Sequence, residues 1–293
     1  MTLQAIRRWY ADDLRLRMPV LRNMAVVEAF ATVPRERFLG SGPWTLVPFD
    51  RTDRPFTTPD DAPHWLYHDI LVAIDPDRAL NNGQPSFWAH NFDHLDLRPG
   101  ERVLQIGAGT GYYSAILAEI VGAAGRVTAV EFDTDLAARA RANLAPWQHV
   151  DVVAGDGRLH DAGEVDVVVA FAGSTHPAPL WLDRLADGGR LMMPLTSENR
   201  WGFMLRAIRR GGEFAAASIG WVGIFPCIGG RDPEAAQRLE EMLTTPRRGA
   251  ARDLPIRALH RGAPAAEEFH KVWYRAPGFW LERVPDSATP ADD

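Results

Sequence analysis

The stretch Val103-Leu104-Gln105-Ile106-Gly107-Ala108-Gly109-Thr110-Gly111 decides how the chain is read. A short apolar run passes into three alternating glycines, and Gly111 to Ile120 then has the composition of a helix. A glycine turn between a strand and a helix lets backbone approach a ligand closely and presents free helix N-terminal amides. The dinucleotide fingerprint Gly-x-Gly-x-x-Gly is not met, because the third glycine comes one residue early and Tyr112 takes the later slot. No Lys-Ser/Thr follows, which excludes a phosphate loop.

Working outward, the pattern stays regular. Arg126 to Glu131, Val150 to Val153, Val165 to Ala170 and Arg190 to Pro194 read as strands. Leu136 to Leu144, capped by Asp133 or Thr134, and Leu180 to Ala186, stopped by Gly188-Gly189, read as helices. Strands alternating with helices predict an α/β, Rossmann-like, mostly parallel doubly wound sheet. Phe203 to Arg209 and Ala215 to Val222, split by Gly211-Gly212, predict an antiparallel hairpin finishing that sheet.

The flanks differ. Residues 1 to about 40 read as helical, with Val26, Val27, Ala29, Phe30 and Val33 forming an apolar stripe ended by Pro34. Residues 41–64, with five prolines, predict an irregular excursion whose aromatics Trp44, Phe49 and Phe56 (with Trp65 just beyond) argue against disorder. Pro233 to Thr244 should be helical. Pro246 to Gly262, carrying five arginines, reads as an exposed loop, and Pro285 to Asp293 as a frayed tail. The expected organisation is 1–97 as an N-terminal helical and substrate-side region, 98–222 as a cofactor domain, and 223–293 as a C-terminal extension.

Composition narrows the function classes. The 293 residues carry a net charge of −6, which does not advertise a nucleic-acid or anionic-membrane surface. No apolar run is long enough to span a bilayer, and no secretory signal is evident. The single cysteine, Cys227, lies among apolar neighbours and excludes an internal disulfide or a thiolate-rich zinc site. A reduced, cytoplasmic setting is the expectation.

Glu131 ends the second strand, where an acid can accept both hydroxyls of a ribose. Asp156, in Gly155-Asp156-Gly157, follows the third strand and could hold an adenine amino group. Together with the glycine turn these predict a nucleoside-type cofactor. Residues 103–122 (VLQIGAGTGYYSAILAEIVG), 129–133 (AVEFD) and 152–157 (VVAGDG) resemble the class I S-adenosylmethionine-dependent methyltransferases. Residues 26–38 (VVEAFATVPRERF), Tyr67-His68-Asp69, Gly83-Gln84 and the 173–195 stretch are similar to the protein-L-isoaspartate O-methyltransferase family. In that family a VPRE-x-F helix leads to a Tyr-x-Asp turn and a GQTIS-x-P segment ahead of the cofactor strand.

The resemblance implies S-adenosyl-L-methionine as cofactor. Its binding set is Gln84, Ser86, Gly107, Ala108, Gly109, Thr110, Gly111, Tyr112, Glu131, Phe132, Asp156 and Gly157. It implies methyl transfer to an aspartyl or isoaspartyl-like carboxylate of a peptide or protein, with Ser86 orienting the acceptor and His90 beside it. A carboxylate of pKa about 4 is ionised at neutral pH and needs no general base. This chain departs from the pattern where the acceptor would bind. Only Pro85, rather than two residues, separates Gln84 from Ser86, and Phe87-Trp88-Ala89 replaces the proline that follows the serine. The helix onward to the cofactor strand is shorter, and the 41–64 excursion and the Asp75 to Asn82 run are added. A small-molecule or natural-product acceptor and a non-catalytic cofactor-binding module are the rival readings. If His90 or His176 acts as a base, the acceptor is instead an amine or hydroxyl. Neither His90/His94 nor His64/His68 comes with a third ligand by motif, so no metal is expected. Tyr112 and Tyr113 either face the cofactor or pack as ordinary helix residues.

Overall fold

The computed structural model describes residues 2–17, 21–48, 54–244 and 254–285. They divide into two compact units, Met1–His160 and Asp161–Asp293. Among the described residues no helix is long and apolar enough to cross a membrane.

The first unit opens with α1 (Leu3–Arg17) and α2 (Met24–Thr32). Asn23 caps α2 by accepting from Ala25 N, and Pro34 follows the last turn. The stripe Val26, Val27, Ala29, Phe30 and Val33 is buried, as its spacing predicts. A 3₁₀ turn over Arg35–Phe38 leads to β1 (Thr45–Val47), β2 (Phe56–Thr57), β3 (Leu71–Asp75) and β4 (Leu80–Asn81). These form a small antiparallel sheet in the order β2-β1-β3-β4. The expected irregular excursion is therefore a packed element. Trp44 and Leu46 are buried with Leu39, Leu66 and Val72 in a core of their own. Strands of two or three residues, interrupted by prolines, leave no period to read. Residues 49–53, including Phe49, lie outside the described residues.

α3 (Pro85–Leu95) precedes β5 (Arg102–Ile106), α4 (Tyr112–Val121), β6 (Arg126–Glu131), α5 (Thr134–Leu144) and β7 (Val150–Ala154). β5, β6 and β7 are parallel neighbours, with Ile106 level with Val130 and Glu131 with Ala154. Asp133 caps α5 by accepting from Asp135 N and Leu136 N. Gln105 is a buried amide in mid-strand. Ser114 of α4 donates to its Oε1 at 2.6 Å, so the polar pair locks strand to helix beneath the glycine turn.

The second unit holds β8 (Val165–Ala170), α6 (Pro179–Arg184), β9 (Leu185–Thr196), β10 (Trp201–Arg210) and β11 (Glu213–Gly223). It continues with α7 (Pro233–Thr244), β12 (Ile256–Arg261), β13 (Val272–Ala276) and β14 (Phe279–Arg283). β8 and β9 are parallel, and the rest of the order, β9-β10-β11-β12-β14-β13, is antiparallel. Cys227 is a buried thiol.

Four expectations change here. The helix expected over 180–186 ends at Arg184, because Leu185 already pairs with Val165. Gly188-Gly189, read as a helix stop, lies in an irregularity of β9: Gly188 has φ +74°, and a Cβ at Gly189 would lie 3.0 Å from Asp166 O. The β10–β11 hairpin does not finish the sheet, since three more strands follow. The arginine-rich loop is in part β12, where Arg257 pairs with Glu282 and Arg261 with Asp183. Arg247, Arg248 and Arg252, and the tail after Pro285, lie outside the described residues.

Gly111 tests how tightly the glycine turn is packed. Its φ is +98°, and a Cβ there would come within 2.8 Å of Leu144 Cδ1. Left-handed backbone costs a non-glycine residue about 1–2 kcal/mol, and overpacking adds about 1–3 kcal/mol. Gly111→Ala should lose roughly 2–5 kcal/mol in denaturant unfolding. Gly100→Ala, with φ +85° but open space around its Cβ, should lose only the backbone share.

Candidate active site

Two groups of residues in the first unit converge on the start of α4. The first is the glycine turn and the acids beyond it. Gly107 N and Ala108 N donate to Val130 O at 2.8 and 3.2 Å, which moulds the turn onto β6. Gly107, Gly109 and Gly111 all have positive φ. Gly109 N donates to Glu131 Oε2 at 2.7 Å, and Asp133 N donates to Oε1 at 3.0 Å. Each Glu131 oxygen is thus fixed by a backbone amide and keeps lone-pair capacity for a further donor. Burial pushes the Glu131 carboxyl above the usual range, against the downward pull of the Asp133 and Gly109 amides.

Asp156 is held by its neighbour Arg158, whose backbone amide donates at 2.9 Å and whose side chain donates at 3.1 and 2.5 Å. Desolvation works upward on Asp156, but the Arg158 bonds outweigh it and leave the acid below its usual value. Gly157 is closely packed, since a Cβ there would lie 2.8 Å from Ile106. Phe132 is 52% exposed beside Glu131. Thr110 and Ala108 are buried, and Asn143 donates to Thr110 O at 3.0 Å. The Tyr112 ring packs on Phe30, Phe38 and Tyr113, which leaves its backbone as what it can offer a ligand.

These features fit the adenosine end of S-adenosylmethionine. A desolvated acid with two prepared oxygens suits a ribose diol. The space around Gly109 is open, with no atom within 4 Å of its would-be Cβ, and an uncovered aromatic flanks the acid. Arg78, at the β3–β4 turn, pairs with Asp133 at 2.7 Å and so ties the small sheet to this edge.

The second group is the segment before α3. Asp69 accepts from Ser86 N at 2.8 Å and from Gln84 Nε2 at 3.1 Å, and Gln84 Nε2 also donates to Ser86 Oγ at 3.3 Å. Ser86 is buried and Gln84 half-buried. Gly83 has φ +75°, and its carbonyl accepts from Tyr113 Oη at 3.0 Å. That bond ties the segment to the second residue of α4, next to the glycine turn. His90 is half-buried one helical turn after Ser86, its ring 4.4 Å from that of His94. Asp93 has a structural use: its Oδ1 accepts from Arg22 N at 2.6 Å and Asn23 N at 2.7 Å. Among the described residues no group of three or more His, Cys, Asp and Glu side chains is gathered as a metal site. His176 belongs to the second unit, with Nδ1 2.8 Å from Thr175 Oγ1.

Sequence reasoning missed the support. Arg35 is fully buried, donating to Leu66 O, to His68 O at 3.0 Å and to Ile70 O at 2.7 Å. Tyr67 donates to Glu36 and accepts from Arg35 N at 3.1 Å, while Arg7 bonds both Tyr67 and Glu36. An Arg-Glu pair directly after a helix-ending proline was the available signal. Arg158, two residues from a chosen acid, carried none.

A glycine turn after the first strand of a parallel run, with an acid closing the second, is the nucleoside-cofactor arrangement of Rossmann-like folds, to which the class I methyltransferases belong. Comparison with known proteins narrows the class. Residues 14–222 match the protein-L-isoaspartate(D-aspartate) O-methyltransferase family. A protein-L-isoaspartate O-methyltransferase of Methanothermobacter thermautotrophicus is 30% identical over 76% of this chain and 95% of that protein. One of Methanothrix thermoacetophila is 35% identical over 60% of this chain and 78% of that protein. Among solved structures, a protein-L-isoaspartate O-methyltransferase superposes with TM-score 0.63 at 22% identity, over 87% of this chain and 73% of that one. A Plasmodium falciparum protein described as the same enzyme, in complex with S-adenosyl-L-homocysteine, superposes with TM-score 0.59 at 15% identity, over 75% of this chain and 97% of that one. The chain belongs to the protein-L-isoaspartate(D-aspartate) O-methyltransferase family, and its fold is the α/β Rossmann-like fold of those structures.

The geometry of Glu131 sets how the cofactor should respond to mutation and pH. Hydrogen bonds to a charged group are worth about 1.5–3 kcal/mol each, so Glu131→Ala should raise the calorimetric Kd for S-adenosylhomocysteine roughly 10- to 100-fold. The ionised acid is the form that accepts hydroxyls, and its pKa is raised. Affinity should therefore weaken as pH falls through the mildly acidic range, and Glu131→Gln should flatten that dependence. On the acceptor side, Arg35→Lys offers a compact ammonium where a planar fork serves three carbonyls. It should cost about 2 kcal/mol or more in denaturant unfolding.

Proposed function

We propose that this enzyme transfers a methyl group from S-adenosyl-L-methionine to the carboxylate of an isoaspartyl residue in a protein or peptide. When bound, that cofactor supplies an electrophilic methyl on a sulfonium. The observation that carries the reading is a hydroxyl, Ser86, at the second position of α3 in a segment bonded to α4 beside the glycine turn.

The roles follow from chemistry. Glu131 would accept the ribose hydroxyls, with Phe132 against the adenine face and Asp156 and Gly157 at its edge. The Gly107–Gly111 backbone and the Tyr112 amide would approach the amino-acid end. On the acceptor side the carboxylate would meet Ser86 at the start of α3, an eleven-residue helix opened by Pro85, whose first free amide is already taken by Asp69. Ser86 donates to one acceptor oxygen and leaves the other to attack. No proton has to be removed, so His90 has room to act by shape and hydrogen bonding alone. The protein contributes alignment of oxygen, methyl carbon and sulfur, together with exclusion of water. A reducing, cytoplasmic setting is part of the same proposal, supported by the buried thiol of Cys227.

The test is to incubate the enzyme with methyl-labelled S-adenosylmethionine and paired peptides that differ only in an isoaspartyl or aspartyl linkage. Alkali-labile label should appear on the isoaspartyl peptide. Label confined to another compound would replace this acceptor with a small molecule or natural product. Ser86→Ala should lower kcat about 10-fold or more, the worth of one charge-assisted hydrogen bond, with S-adenosylhomocysteine affinity nearly unchanged.

A further inference from the structure

The contacts of Asp69 extend the reading above and rest on it. One carboxylate oxygen takes Ser86 N–H at 2.8 Å, and the other takes Gln84 Nε2 at 3.1 Å. The same Nε2 lies 3.3 Å from Ser86 Oγ. An ionised carboxylate can only accept, and an amide has a donor end and an acceptor end. Turning the Gln84 amide round would set its oxygen against the Asp69 oxygen, so its orientation is dictated. Its second hydrogen is then delivered to Ser86 Oγ. The hydroxyl, with one lone pair engaged, must direct its own proton away from Gln84.

We propose that Asp69 is a positioning residue that fixes the direction of the Asp69–Gln84–Ser86 chain, and that this direction selects a carboxylate as methyl acceptor. A carboxylate oxygen can receive the Ser86 proton on one lone pair and still offer others to the methyl carbon. A neutral amine has one lone pair, which the same proton would occupy. An alcohol must lose a proton, and a hydroxyl held as a donor does not take one up. The subsite therefore rewards the one acceptor that arrives already ionised.

Asp69→Asn separates this role from simple anchoring. The oxygen of the substituted amide still accepts the Ser86 N–H, so the loop keeps its anchor. Its nitrogen now faces Gln84, which must turn and present oxygen to both neighbours, and Ser86 then donates into Gln84. The kcat/KM for the isoaspartyl peptide should fall about 10-fold or more. The melting temperature and the S-adenosylhomocysteine Kd should stay near the parent values. Ser86→Ala should cost about 10-fold in the parent but less than about twofold in the Asp69→Asn background, because the donor is already lost. An anchor alone would leave Asp69→Asn within about threefold of the parent, with the full Ser86→Ala loss, and either result overturns the assignment. Should Asp69→Asn fail to fold, Gln84→Leu carries the test. It leaves Asp69 on the Ser86 amide but breaks the link to the hydroxyl, and a kcat/KM for the isoaspartyl peptide within about threefold of the parent also overturns the assignment. A parent enzyme that labels no isoaspartyl peptide overturns the function proposed above and this assignment with it. A labelled parent with an unaffected Asp69→Asn overturns this assignment alone.

Discussion

A buried guanidinium, met by carbonyls rather than by a carboxylate, underlies the acceptor side of this enzyme. Arg35 is wholly buried and donates to the carbonyls of Leu66, His68 and Ile70 and to the amide oxygen of Asn82. The Tyr112 ring lies 5.9 Å from its Cζ. Burying a cation is expensive unless its donors are met. Here three backbone carbonyls and the Asn82 amide oxygen meet its terminal Nη1 and Nη2 groups, while Nε has no hydrogen-bond partner among the described residues. This turns the carbonyls of Leu66, His68 and Ile70 inward around one planar group. Asn82 Oδ1 also takes Val72 N–H at 2.9 Å, so the same cluster sets where β3 begins and where the acceptor segment departs. The guanidinium thereby reaches from the loop carrying Asp69 to the residue that follows Gly111.

From this point the acceptor segment has little freedom. Gly83 takes a left-handed φ of +75° that brings Trp88 Nε1 to 2.7 Å of where a Cβ would stand. Its carbonyl is held by Tyr113, whose ring also lies against Trp88 and Phe92. One tyrosine thus couples α3 to the first turn of α4. The glycine turn and the hydroxyl proposed to orient the acceptor share a rigid partner, which is the form of preorganisation that the proposed base-free methyl transfer depends on. The negative charge of Asp69 is no obstacle to an anionic acceptor. Both its oxygens are engaged by donors, Ser86 N–H and Gln84 Nε2.

The cofactor half was legible because its signals are local. Three glycines at a strand end, an acid closing the next strand and a cap at Asp133 each state their geometry within a few residues. The acceptor half is built from pairings distant in sequence. Asp69 acts on Ser86 seventeen residues away, and Arg35 on Ile70 thirty-five residues away. The small sheet escaped for the same reason, since β1 finds its partner in β3 and no strand in it exceeds five residues. Gln105 read as a buried strand residue, but only the structure supplies Ser114 to satisfy its amide. Beyond the β10–β11 hairpin, β12 was hidden by arginines whose partners, Glu282 and Asp183, lie far along the chain.

The shortened Gln84-Pro85-Ser86 spacing changes meaning once these contacts are known. As sequence it is a departure from the family pattern. In the fold Gln84 is the residue before α3, Pro85 occupies its first turn, where a missing N–H costs nothing, and Ser86 follows directly. A glutamine two residues ahead of the serine can place one amide nitrogen within reach of both Asp69 and the Ser86 hydroxyl. In this chain the short spacing brings carboxylate, amide and hydroxyl into one hydrogen-bonded group at the start of a helix.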